Sequence, residues 1–288
     1  MLWIILALIS ALTESLKDFF SKRNMQKVST ATMTWAFFTF TFIVLLPLAL
    51  FVEIPKLDEI FFISSFANTV VFLIAINLYM KAIESSDLSI TLPMIAFTPA
   101  FMLIVSPVIL GEFPNIFGIA GILLIVFGAY FLKIGESKKG LLEPFKALLK
   151  EKGPRLMLIV AFLFSITASA IKLTIQHSSP MFALLFLYFI NVLLGTIWFA
   201  WRGQLKFAEI KRNWKGFTLV GILMAINEIA FFNAVMLTLA PFAIAVKRLS
   251  ILFGSLLGIK FFKEGEWKQR LLGAGIMIAG VAVIYVFG

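Results

Sequence analysis

Charged and breaker residues in this chain fall in short clusters. Between them the sequence stays apolar for about 20 residues at a time, the length of helix needed to cross a bilayer. The pattern predicts ten spans, at residues 2–21, 30–52, 59–80, 88–110, 115–133, 156–176, 181–201, 214–237, 241–262 and 267–287. Pro55, Pro114, Pro154, Pro180 and Pro241 each sit near a predicted start, where a missing N–H costs least. Trp201, Trp214 and Trp267 fall at predicted ends, where amphipathic rings favour the membrane interface. Spans 4 and 9 follow very short connections, so spans 3–4 and 8–9 should form tight antiparallel hairpins. Pro93, Pro99 and Pro107 punctuate span 4 and should kink it, freeing carbonyls to line a cavity. Span 9 has no proline after Pro241, so these two helices should differ in shape.

One stretch occurs twice. Leu110-Gly111-Glu112 is followed by Gly121 and Gly128, and Phe262-Lys263-Glu264 by Gly273 and Gly280. In both copies the first glycine comes nine residues after the glutamate and the second seven later, at an offset of 152. The same offset pairs Ala82 with Ala234 and Ile74 with Ile226. A repeat this long is no solenoid unit. It divides the chain into a first five-span repeat, 1–134, a basic hydrophilic linker, 135–154, and a second five-span repeat, 155–288. Five is odd, so the second half enters the membrane from the opposite side. The expected fold is therefore an all-α integral membrane protein of ten transmembrane helices, built as two inverted five-helix repeats. That architecture suits alternating access to a site where the halves meet. Gly121, Gly128, Gly273, Gly275 and Gly280 give spans 5 and 10 small faces for close contact. In the linker, Leu141, Leu142, Phe145, Leu148 and Leu149 lie at helical spacing and fit a short helix on the membrane surface.

Composition agrees. The chain is 61% hydrophobic with mean hydropathy +1.03, whereas soluble chains run about 45–50% apolar. Its formal charge of +10 does not mark a nucleic-acid binder, because the basic residues lie between apolar runs and form no single face; they fit contact with anionic membrane lipids. There is no cysteine, so disulfides and thiolate metal sites are excluded. The first apolar run lacks a basic leader and a small-residue cleavage site, and is expected to remain as a span. Loops after odd-numbered spans carry 20 Lys and Arg, while the even-numbered loops carry only Lys56. The odd loops should be cytoplasmic and both termini outside.

At these residues the chain resembles a ten-span member of the drug/metabolite transporter superfamily, of the EamA type. The resemblance rests on the two Leu/Phe-x-Glu ends with their trailing glycines. It rests also on Val246-Lys247-Arg248-Leu249-Ser250-Ile251-Leu252-Phe253 leading into Phe261-Phe262-Lys263-Glu264. It implies a basket of ten helices around a central cavity and export or exchange of small metabolites, with both termini in the cytoplasm, the reverse of the loop count. A bacterial or archaeal cell (inner) membrane is the expected setting. No cofactor is implied; a proton or counter-substrate is the expected coupling partner, and the chain should act as a monomer or homodimer.

Ionisable residues inside spans cost at least ~2.5–3.5 kcal/mol on insertion scales and mark candidate sites. Here they are Glu14 and Lys17 in span 1, Lys172 in span 6, Glu228 in span 8, and Lys247 with Arg248 in span 9. Lys17 and Lys172 are repeat mates at an offset of 155, which also pairs Ser10 with Ser165, and they should lie near opposite mouths. Lys247-Arg248 faces Ile95-Ala96 in the first half, so the pair breaks the repeat. Organophosphate translocators of the same superfamily carry a Lys-Arg pair in the ninth span that holds phosphate; by resemblance, this pair would hold an anionic group. Neighbouring helix positions point about 100° apart, so one of the two can hold solute while the other pairs with Glu228. Snorkelling to the interface or a self-neutralising ion cluster are the structural alternatives. Glu14 can pair with Lys17 on one helix face, or act as a cation-binding carboxylate as in small multidrug transporters. Asn77 and Asn227 are further polar candidates, each of which can instead join two helices. His177, beside Ser178-Ser179-Pro180, is expected to be a solvated loop residue.

The reading is a secondary transporter of a small organic solute, anionic or zwitterionic, with a multidrug or cation exporter as the alternative. A membrane-embedded enzyme would need clustered carboxylates or a nucleophile beside a base. An ion channel for cations would need acidic rings, which the basic pair opposes. No phosphate-binding loop for a nucleotide is present.

Overall fold

The computed structural model describes residues 1–25, 28–85, 91–134, 150–254, 256 and 267–288. Among them every regular element is a helix. In chain order these are α1 (Leu2–Met25), α2 (Thr30–Leu45) running into a 3-10 turn (Leu46–Phe51), α3 (Glu59–Ser85) and a 3-10 stretch (Leu92–Phe97) leading into α4 (Thr98–Leu110). They continue with α5 (Ile116–Ile134), α6 (Lys152–Gln176), α7 (Pro180–Trp201), α8 (Phe207–Leu237), α9 (Ala240–Lys247) and α10 (Trp267–Phe287). Each falls on one of the apolar runs. The stretches Ala31–Phe51, Glu59–Tyr79, Lys152–Gln176, Pro180–Trp201 and Phe207–Leu237 are long and apolar enough to cross a membrane. The linker leucines at 141–149 and the second motif glutamate, Glu264, lie outside the described residues.

Burial is inverted relative to a soluble protein. Val108 and Ile63 stand 83% and 67% exposed, while Lys172 and Asn68 are 5% and 3% exposed. Large aliphatic side chains face outward because lipid is their solvent, and polar side chains turn inward to find partners. Trp201 is exposed at the end of α7 and Trp214 beside the kink in α8, where interfacial rings fit.

The halves are inverted, and the glycines show it. A Cβ placed on Gly280 would lie 2.7 Å from the carbonyl oxygen of Gly121, and one on Gly121 would lie 2.8 Å from that of Gly280. A Cβ on Gly128 would lie 2.8 Å from the carbonyl of Gly273. As residue numbers rise along α5, their partners on α10 fall, so the two repeat mates pack antiparallel. The repeat operation exchanges the contact of Gly121 with Gly280 for that of Gly273 with Gly128, as an axis crossing between the helices requires. Other packing follows the same exchange: α3 lies on α6 and α8 on α1, α4 lies on α6 and α9 on α1, and α4 meets α9; α2 departs from it, packing closely on α8 while its mate α7 touches α3 only lightly.

Two helices depart from the sequence expectation. α8 begins at Phe207 rather than at 214, with a kink at Asn213 (φ −115°, ψ 17°). Span 9 is interrupted although it has no proline after Pro241. α9 ends at Lys247, Arg248 N–H is shared between the carbonyls of Ile244 and Ala245, and helix resumes over 250–254. At the repeat offset this break falls where span 4 changes from 3-10 to α-helix at Phe97 and Thr98. The two helices therefore differ in their first halves, as expected, but share a break at one repeat position.

Candidate solute-binding site

The break in span 9 presents Lys247 and Arg248 to the inside of the bundle, against α1 and α8. Lys247 Nζ donates to Asn227 Oδ1 at 3.1 Å and sits 3.6 Å from Glu14 Oε2, 3.7 Å from Glu228 Oε1 and 4.0 Å from the centre of the Phe231 ring. Asn227 Nδ2 in turn donates to the Ser10 carbonyl at 2.6 Å, joining α8 to α1. One ammonium is thus shared by two carboxylates, an amide oxygen and an aromatic face, with all three charged side chains less than a fifth exposed. Shared in this way, a buried charge is compensated without any one tight contact.

Arg248 is not so held. It forms no ion pair within 4.0 Å among the described residues; the charges that act on it come from Glu14 and Asp18, with the Tyr79 hydroxyl nearby. Its Nε is buried with no hydrogen-bond partner, and so are Glu14 Oε2, Ser10 Oγ and Ser15 Oγ. A guanidinium nitrogen left dry and unpaired is costly unless something else binds there. Of the basic pair, Lys247 is the member that meets Glu228, and Arg248 Nε has no hydrogen-bond partner.

Other candidates are placed differently. The Glu14–Lys17 pair does not form as an ion pair: Lys17 Nζ turns to Asp18 Oδ1 at 2.9 Å, lying 6.0 Å from the Phe37 ring centre, and Glu14 faces Lys247. A shared cation across the helix interface outweighs a same-helix partner that Asp18 can supply from the wetter end. Asn77 is half-buried on α3 and has no hydrogen bond to the Lys247 group. Lys172 is far along α6, paired with Glu112 and donating to the Thr238 carbonyl. His177 is no free loop residue: it ends α6, with Nδ1 2.6 Å from Asp58 Oδ2. Glu112 was singled out in sequence only as a repeat marker, although its recurrence just past a span end was a signal that it does something there.

Residues 1–134 and 152–286 match the EamA-like transporter family. The chain belongs to that family. It is accordingly an integral, multi-pass membrane protein that transports small solutes, and the two matched segments are the two repeats. The fold is shared with a solved structure described only as "Crystal structure of protein", at 13% identity, a TM-score of 0.75 and coverage of 98% of this chain and 96% of that one. No curated protein matches. Within the family frame, the Lys247–Glu14–Glu228–Asn227 group is the polar heart of the EamA bundle, where elements from both repeats meet: α1 from the first, α8 and α9 from the second.

Proposed function

We propose that the chain is a secondary transporter that carries a small zwitterionic metabolite by alternating access, with Arg248 holding the anionic group of the solute. The observation that carries this reading is the buried Nε of Arg248, which has no hydrogen-bond partner, near a Glu14 whose Oε2 meets Lys247 only at 3.6 Å. Charge balance narrows the solute. Lys17, Lys247 and Arg248 oppose Glu14, Asp18 and Glu228, so the group is neutral by itself. A simple anion would leave it negative in a poorly solvated site, whereas a zwitterion, or an anion entering with a proton, leaves it neutral. Arg248 offers the planar fork for a carboxylate or phosphate, and Glu14 offers an acceptor for an ammonium or hydroxyl. Asn77 is kept as a distal contributor and Lys17 and Lys172 as residues of the two mouths. The charged loops support a cytoplasmic side at the odd-numbered connections of a bacterial or archaeal membrane, with a proton or counter-substrate as the coupled species.

The test is a thermal-shift screen of purified protein against amino acids, phosphorylated metabolites and lipophilic cations, followed by counterflow in proteoliposomes. A solute present at about 100 times its Kd stabilises the fold by about 2.7 kcal/mol, enough to read. Arg248→Lys should weaken binding and Arg248→Ala should cost on the order of 2–5 kcal/mol of it, with elution profiles unchanged. Wild-type transport in folded Arg248→Ala would refute the reading. Glu14 Oε2, which makes no hydrogen bond, supports a second one, a cation exporter, which takes over if lipophilic cations stabilise the protein and Glu14→Gln abolishes their transport.

A further inference from the structure

We infer that the end of the molecule formed by the 2–3, 4–5, 6–7 and 8–9 connections is a gate, held shut here by Glu112–Lys172 and Asp58–His177, two acid–base pairs that tie one repeat to the other. This rests on the alternating-access reading above. In both pairs the acid belongs to the first repeat and the base to the second, Lys172 in the last turns of α6 and His177 just past its end. The inner pair is the more extensive. One oxygen of Glu112 meets Lys172, and the other accepts from the N–H of Ala240 at 2.8 Å and from Ser106 Oγ at 3.3 Å. Lys172 also donates to the carbonyl of Thr238. A single carboxylate from the α4–α5 connection thus grips α6 and the start of α9 together, and it lies at the N-terminal end of α9, where the helix dipole favours an anion.

The two tiers differ in wetness. The side chains of Lys172 and Glu112 are 6% and 12% exposed, and those of His177 and Asp58 are 27% and 52% exposed. The outer pair can re-form through water at little cost, while the inner pair cannot open unless both charges find water or new partners. Gly111, at φ +68°, supplies the left-handed turn that ends α4 and aims the next residue, Glu112, back across the bundle. Lys17, the repeat mate of Lys172, pairs among the described residues with Asp18 on its own helix, and Glu264, the mate of Glu112, lies outside them. Glu112 and Lys172 are on this account positioning residues that set which side the site faces.

The chain has no cysteine, so single-cysteine probes need no prior engineering. Ser106 is fully buried against Glu112 and serves as the reporter; exposed Lys56, at the same end, serves as the control. In reconstituted full-length protein, Ser106→Cys should react with an impermeant maleimide at least about tenfold more slowly than Lys56→Cys, since an open minor state is populated at about 0.1–10%. Adding Glu112→Gln or Lys172→Gln should raise the Ser106→Cys rate at least about tenfold, and both together no further than either, because they release one latch. If either variant fails to fold, Glu112→Asp keeps the charge but withdraws it by one methylene, and should give an intermediate rate. Unchanged slow labelling in monodisperse Gln or Asp variants overturns the gate. Labelling needs no solute, so a screen that finds no zwitterion leaves a positive result standing, and slow labelling sinks the gate even where a zwitterion is carried.

Discussion

Lys247→Met tests the central network most directly. The substitution keeps the length of the stem and removes the charge on which Glu14 and Glu228 converge. Nζ lies 3.6 and 3.7 Å from the two carboxylates, so neither contact is a short, well-aligned ion pair; each is a Coulomb attraction in a poorly solvated place. At an effective dielectric of about 20 such a separation is worth roughly 4 kcal/mol per pair before desolvation is charged against it. Breaking a buried pair from one side typically costs about 3–5 kcal/mol, because the partner charge stays behind. Two carboxylates stay behind here, with only the more distant Lys17 and Arg248 to offset them, and Asn227 loses the donor to its Oδ1. The expected loss is therefore about 3–5 kcal/mol.

Glu228→Gln alone should cost less, about 1–2 kcal/mol, since Lys247 keeps Glu14 and Asn227. The double variant restores one cation facing one anion and should fall short of the sum of the single losses by about 1–3 kcal/mol. Denaturant unfolding in mixed micelles, read by tryptophan fluorescence, measures all four corners of the cycle. Single losses that add to within about 0.5 kcal/mol would show that Lys247 and Glu228 do not act on one another, and the network described above would not exist.

Gly280→Ala should cost about 1–3 kcal/mol in the same assay, since its Cβ would stand 2.7 Å from the Gly121 carbonyl, while Gly275→Ala, which meets open space, should be neutral or stabilising; equal effects would refute the close approach of α5 and α10. The Phe61 N–H, and after it His177, holds the Asp58 carboxyl below its usual range. The contribution of Asp58 is thus present above the ordinary carboxylate pKa of about 3.9 and lost as pH falls through the lowered value, so the difference in melting temperature between wild type and Asp58→Asn should shrink on acidification and would count against the pair if it grew. A reporter fused after Gly288 should read as extracytoplasmic and one near Ser137 as cytoplasmic; the opposite labelling at both positions would reverse the orientation.

Much of the fold was legible because the bilayer imposes it. Span length, glycine spacing and an odd number of spans per repeat are consequences of thickness, close packing and inversion, and each leaves a one-dimensional trace. The break in span 9 left none of the usual traces. Proline removes an N–H and is visible in sequence; at Arg248 the N–H is present but shared between two carbonyls. The Glu14–Lys17 pairing failed for a related reason. Sequence spacing knows only same-helix neighbours, and the cation that Glu14 meets comes from a residue more than 230 positions away. Glu112 was visible as a motif, yet its partners Lys172 and Ala240 are brought to it only by the packing of α4 on α6 and α9.

The repeat itself separates what carries solute from what moves. Gates must exist at both ends of an alternating-access protein, so their residues should recur in both halves, as Lys17 does with Lys172 and Glu112 does in sequence with Glu264. A single solute site near the pseudo-two-fold axis has no such duty, and an unsymmetrical solute requires unlike groups on its two sides. At the offsets of 155 for span 1 and 152 for spans 8 and 9, the mates of Glu14, Asn227, Glu228, Lys247 and Arg248 are Ser169, Ala75, Ile76, Ile95 and Ala96. Every charged member of the central group faces an uncharged mate. That asymmetry is costly inside a membrane and gains nothing for a scaffold. On the proposed reading, the position where symmetry is broken by four charges, and where Arg248 Nε has no hydrogen-bond partner, is where a solute would bind.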